Sequence, residues 1–233
     1  MSFQELRSGA AELNNVGVRL MNHLADEGAG RALESSLEML IGAIRGQKHD
    51  LGSSILDRVT DARELLVTHG QPNTDDPTIA VTEPKPLRSP SLKIDSMFVY
   101  NKPMYIENLD FMEGHHDAHC CVESTIVLFN LALLYHEKNS KRAITFYNMA
   151  FTVMKDLEWF ITRTKQGALL HLAILNNMGE IYYRSGKHER AFEFFSHVSL
   201  IVMSFLAHHG DGDSWSAFLH NTLILQGESA PAA

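Results

Sequence analysis

Apolar residues recur at helical spacing through most of the chain. Leu13, Val16, Val18, Leu20, Met21 and Leu24 share a broad face of a helix predicted over 4–24. The stretch ADEGAG, at 25–30, breaks the pattern. It resumes in RALESSLEMLIGAIRG, with Ala32, Leu33, Leu37, Leu40, Ile41 and Ile44 on one side. Leu51, Ile55, Leu56, Val59 and Leu65 mark a third helix over about 50–69. From Asp117 onward the chain reads as almost entirely helical. Helices are predicted near 117–138, 140–159, 162–184, 187–207 and 213–225, with Asp213 or Ser214 as the last N-cap. Turns this short require neighbouring helices to pack antiparallel.

The middle of the chain differs. GQPNTDDPTIAVTEPKPLRSPSLK is proline-rich and poor in bulky apolar residues, which predicts a loop or linker. The following SMFVYNKPMYI is aromatic and β-branched around NKP. It reads either as a short hairpin or as an extended arm laid on the helices. The expected organisation is N-terminal helices over 1–69, a linker and arm over 70–110, a C-terminal helical array over 111–227 and a short tail over 228–233.

Three segments can be superposed: LNNVGVRLMNHLADEGAGRALESSLEML, FNLALLYHEKNSKRAITFYNMAF and LNNMGEIYYRSGKHERAFEFFSHVSL. Each has a small residue in its first helix, Gly17, Ala132 or Gly179, and a bulky one three residues later, Leu20, Tyr135 or Tyr182. After the turn another small residue follows, Ala32, Ala143 or Ala191, and four residues beyond it stands Ser36, Tyr147 or Phe195. A helical glycine costs about 1 kcal/mol relative to alanine, so Gly17 and Gly179 point to close helix–helix contacts. The large residue one turn on is expected to fill the gap beside them.

This pattern resembles the tetratricopeptide repeat, a helix–turn–helix unit. The third copy fits in type and spacing, the second has a turn one residue short, and the first has a turn three residues too long and a serine in place of the aromatic. The resemblance covers 117–206, extends in part to 10–46 and leaves 70–110 unmatched. It implies an all-α fold: an antiparallel helix-pair array, a tetratricopeptide-like α–α superhelix, with a long extended linker or arm. It also implies a non-enzymatic protein–protein interaction module, an adaptor or assembly subunit that takes a peptide or partner protein in the array's groove.

On the first helix of each pair the candidate partner-binding residues are Asn14, Asn15, Asn130, Asn176, Asn177 and Glu180. Helix propensity does not favour asparagine pairs, but their side chains can pair with the backbone of an extended peptide. They can equally bond to neighbouring helices or to their own turns. One subclass of the family holds a terminal carboxylate with basic residues beside asparagines. Here Asn14, Val18 and Glu180 stand at the relevant turns, which argues against such a clamp. Late aromatics are dense, and Tyr183, Phe192 and Phe194 are candidates to face a further helix, the arm or a second copy of the chain.

Charge and composition narrow the partners. A formal net charge of −8 makes nucleic acid a poor default partner and steers the chain weakly toward neutral or basic proteins. Cys120 and Cys121 are adjacent, which fits a reducing compartment rather than a disulfide framework. The N-terminal MSFQELRSGAAELNN lacks an apolar signal core, and no uninterrupted apolar run suggests a membrane span. A cytoplasmic or nuclear location is expected. No phosphate-binding glycine loop is present, and no cofactor is expected.

EGHHDAHCCVE is the one dense chemical cluster. His115 and His119, like His116 and Cys120, are four residues apart and would share a helical face. This is the basis of the alternative reading, a metal-binding or metal-dependent enzyme. The competing reading is a plain helix start, with Asp117 in the first turn and the cysteines opening the buried face.

Overall fold

A computed structural model describes residues 2–46, 97, 99–106, 116–155, 157, 161, 164–209 and 216–228. Among them are seven α-helices: α1 (Phe3–Asn22), α2 (Asp26–Gly46), α3 (His116–Tyr135), α4 (Ser140–Lys155), α5 (Lys165–Arg184), α6 (His188–His209) and α7 (Ser216–Glu228). The helix expected over 50–69, the proline-rich linker and the proposed caps Asp213 and Ser214 lie outside the described residues.

The fold is all-α, with antiparallel helix pairs and no strand among the described residues. Residues 99–106 are extended, not a hairpin. The chain divides into two compact units, one made of 1–91 and 103–134, the other of 92–102 and 135–233. The arm thus contributes a piece to each unit.

In the first unit α1 opens with a capping box. Ser2 Oγ accepts from the Glu5 amide at 3.2 Å, and the Ser2 amide donates to Glu5 Oε2 at 2.6 Å. The α1 and α2 pair buries Ala10, Val18, Leu33, Leu37 and Leu40 completely. In the second unit α5 packs with α4 and α6, and α7 packs with α6 and α5. Most of α5 from Leu172 to Ile181 is buried, polar residues included.

The ADEGAG break is shorter than the sequence suggests. α2 begins at Asp26, with Asp26 and Glu27 in the first turn where the helix dipole favours acids. Only His23, Leu24 and Ala25 link the pair, which matches the three residues Ser185, Gly186 and Lys187 between α5 and α6.

The two turns also share their hydrogen bonds. Ala25 N–H donates to Leu20 O and Leu24 N–H to Met21 O; Lys187 N–H donates to Tyr182 O and Gly186 N–H to Tyr183 O. Leu24 (φ 59°) takes the left-handed position that Gly186 (φ 72°) takes in the later turn.

This shifts the register of the first copy by three residues. Ala29 and Leu33, not Ala32 and Ser36, correspond to Ala191 and Phe195. Contacts agree: a Cβ on Gly17 would lie 2.7 Å from Leu33 Cγ, and one on Gly179 would lie 2.7 Å from Phe195 Cε1. The residue that covers each glycine comes from the second helix of the pair. Tyr182 lies elsewhere, stacked on Phe194 with centroids 5.4 Å apart. Ser36 is buried and donates to Ala10 O at 2.7 Å.

By length and composition, the window 118–135 in α3 is apolar enough to cross a membrane, but 78% of it is buried within the protein, as in a core helix.

Candidate functional site

The asparagines singled out above hold the extended arm by its main chain. In the first unit Asn15 Oδ1 accepts from Ile106 N–H at 2.8 Å, and its Nδ2 donates to Ile106 O at 2.9 Å. Asn130 Oδ1 accepts from Met104 N–H at 2.8 Å, and its Nδ2 donates to Met104 O at 2.8 Å. Asn14 joins the two rungs. Its Nδ2 donates to Met104 O at 3.1 Å and to Asn15 Oδ1 at 3.2 Å, while its Oδ1 accepts from Asn130 Nδ2 at 2.9 Å. Met104 and Ile106 are two residues apart, so an extended chain turns their peptide groups to the same edge.

The second unit repeats the device once. Tyr100 N–H donates to Asn177 Oδ1 at 2.8 Å, and Asn177 Nδ2 donates to Tyr100 O at 2.9 Å. The Tyr100 ring stacks on Phe218 of α7, centroids 5.8 Å apart. Met97 packs against Ala191 and Phe195 beside Tyr182 and Tyr183.

Each clamp residue stands two positions before the small residue of its copy: Asn15 before Gly17, Asn130 before Ala132 and Asn177 before Gly179. A carboxamide offers an acceptor oxygen and an NH₂ group with two donors, so one side chain can pair with both the N–H and the C=O of a single extended residue, as an adjacent strand would. An extended segment would otherwise leave these groups bare, at about 1–3 kcal/mol for each buried one left unpaired. Pro103 needs no donor partner, and Asn101 and Lys102 are exposed. This explains why the segment forms no hairpin.

Behind Asn177 lies a buried polar chain. Asn177 Nδ2 donates to the Tyr147 hydroxyl at 3.0 Å, and that hydroxyl lies 3.1 Å from His136 Nδ1. His136 Nε2 is 2.9 Å from Glu180 Oε2, and Glu180 Oε1 pairs with Arg184 Nε at 2.8 Å. A proton on Nε2 satisfies the chain in one direction, with Tyr147 donating to Nδ1 and Nε2–H donating to the carboxylate. Burial is the main cause that pushes the Tyr147 hydroxyl far up, with the nearby Glu180 and Glu137 charges adding to it, so it stays protonated.

Asn176 does not touch the arm through any of these bonds. It donates to Asn177 Oδ1 at 3.2 Å and accepts from Asn221 Nδ2 of α7 at 2.8 Å. Asn14 stands in the same relation to Asn130, so the helix pairs reuse one amide-to-amide link.

Comparison with family models, curated proteins and solved structures finds no match.

The remaining candidates scatter. Glu180 is buried and belongs to the polar chain, not to an open groove. Tyr183 packs edge-on against His188, centroids 5.0 Å apart. Phe194 is partly buried under Tyr182, and Phe192 is 49% exposed. Of the histidine–cysteine cluster, His115 and the His116 side chain lie outside the described residues. His119 and Cys120 are buried, and His119 Nδ1 is 3.2 Å from Arg7 Nη2, a group that can only donate. No group of three metal-ligating side chains occurs among the described residues.

Arg7 also binds Glu123 Oε1 through Nε at 2.8 Å. Burial raises the Glu123 carboxyl above its ordinary value although Arg7 pulls it down. His136, Arg184 and Asn221 complete these links without any local pattern in the sequence that marks them. The signal that could have completed the clamp was the recurrence of asparagine two positions before the small residue.

Proposed function

We propose that the chain is a non-enzymatic interaction module of the tetratricopeptide-like kind that holds extended segments by their main chain, with its own arm as the occupant in cis. The observation that carries this reading is the paired donation and acceptance at Tyr100, Met104 and Ile106 by Asn177, Asn130 and Asn15. Such a site reads extension rather than side-chain identity, so a partner segment of the same form competes with the arm. The acidic chain favours a neutral or basic partner, and the cytoplasm or nucleus is the proposed setting. Exposed Phe192, Leu200, Met203 and Leu223 offer a secondary contact for a partner or a second copy.

The test uses the full chain carrying Tyr100→Pro and Ile106→Pro. These changes remove two of the clamped N–H groups and leave the asparagines intact. A labelled peptide of residues 97–106 should bind this variant in trans and bind the unaltered chain much more weakly. Adding Asn15→Ala, Asn130→Ala and Asn177→Ala should abolish binding. Equal binding with and without the asparagines would sink the proposal.

A further inference from the structure

The asparagines act on main-chain groups, but the walls beside the second-unit rung act on side chains. The Tyr100 and Phe218 rings stack with an interplanar angle of 12° and centroids 5.8 Å apart, an offset arrangement that favours an aromatic pair. Phe218 is 1% exposed, so with the arm in place its ring is out of water. Burial raises the Tyr100 hydroxyl above its ordinary value, which keeps this ring a neutral phenol. Three residues earlier, Met97 packs against Ala191 and Phe195, both fully buried.

One helix serves both the ring and the rung. Phe218 and Asn221 stand three residues apart on α7 and so share a face. Asn221 Nδ2 donates to Asn176 Oδ1 at 2.8 Å. Asn176 Nδ2 in turn donates to Asn177 Oδ1 at 3.2 Å, the oxygen that accepts the Tyr100 amide. Thr222, the next residue of α7, donates through Oγ1 to the main-chain oxygen of Phe195 at 3.2 Å. The aromatic wall, the clamp amide and the residue under Met97 are thus tied through α7. The first unit differs. Its clamped residues, Met104 and Ile106, are not aromatic, and Tyr105 between them is exposed.

Given the main-chain clamp proposed above, on which this rests, we infer that the second unit selects partner segments with a neutral aromatic residue at the clamped position and an apolar residue three before it. Phe218 sets the preference for the ring. A leucine at the clamped position keeps both bonds to Asn177 and loses the stack. A charged side chain there lays its charge against Phe218.

The test uses the full chain carrying Tyr100→Pro and Ile106→Pro, whose own arm no longer stacks a tyrosine on Phe218. Labelled peptides of residues 97–106 are titrated against it by fluorescence anisotropy: the unaltered sequence, Tyr100→Phe, Tyr100→Leu and Tyr105→Leu. All four keep the N–H and C=O that Asn177 binds. The Tyr100→Phe and Tyr105→Leu peptides should bind within about twofold of the unaltered one, and the Tyr100→Leu peptide about fivefold more weakly. Adding Phe218→Leu to the chain should close that gap, because the ring pair is then already broken. Phe218→Met repeats the comparison in a second background. If the unaltered and Tyr100→Leu peptides bind equally and Asn177→Ala weakens both, the inference is overturned and the clamp stands. Binding of none of the peptides overturns the clamp and the inference together. A gap that survives both changes at Phe218 overturns the role given to that ring.

Discussion

In the first unit the rungs Asn15–Ile106 and Asn130–Met104 are tied together by Asn14, and every group in the link is a neutral amide. In the second, the rung Asn177–Tyr100 leads through Tyr147 and His136 to Glu180, which is 4% exposed and paired with Arg184. Both devices read the same feature of the arm. They differ in what fixes the asparagine. An amide ladder distributes its bonds over two neighbouring rungs. A chain ending in a buried carboxylate concentrates its stability in one rung and in the groups behind it.

The contrast predicts unequal costs. Asn177→Leu strips partners from Tyr100 N–H, Tyr100 O and the Tyr147 hydroxyl together, and should cost about 3 kcal/mol in chemical denaturation. Asn15→Leu, which leaves Asn14 and Asn130 on Met104, should cost about 1–2 kcal/mol. Equal losses would erase the distinction between the two clamps. Next in size, Glu180→Gln keeps the shape but removes the charge, and should cost about 1–2 kcal/mol, because Arg184 keeps its existing pair with Glu137. A neutral result would mean that the carboxylate does not anchor the chain.

The matched turns give a smaller and opposite effect. Leu24 stands 68% exposed at φ 59°, where a side chain is strained. Leu24→Gly should therefore stabilise by about 1 kcal/mol, and Gly186→Ala should destabilise by about 1 kcal/mol. Thermal melts of both variants check this pair.

The titrating groups should have the smallest effect, and here the two units have opposite signs. Glu123 has a raised carboxyl value in the folded state. Its contribution is complete below the ordinary value of 4.5 and is lost as pH rises through the folded value. Glu123→Gln should remove that loss. His171 is lowered from 6.5 to about 4, so its contribution is complete above 6.5 and falls as pH drops toward 4. His171→Phe should flatten the acid side of the stability profile.

Much of this was legible from one sequence. The helical pattern placed the seven helices to within a few residues, except α2, whose start at Asp26 was hidden by glycines read as a break. Gly28 lies in that helix close to Leu20, where an added Cβ would come within 3.3 Å of Leu20 Cδ1. Composition carries no trace of such a contact. The asparagines were visible as residues out of place in helices. Their target was not, because main-chain groups carry no sequence signature and the paired arm residues lie 91 residues from Asn15 and 77 from Asn177. Glu180 looked like a surface acid because its partner His136 lies 44 residues away.

Amide hydrogen exchange along the arm tests the central claim most directly. The account predicts that Tyr100, Met104 and Ile106 N–H exchange far more slowly than those of Asn101, Lys102 and Tyr105. Each protection should vanish with its own asparagine: Tyr100 in Asn177→Leu, Met104 in Asn130→Leu and Ile106 in Asn15→Leu. Uniform exchange along 99–106, or protection that survives loss of the matching asparagine, would contradict it.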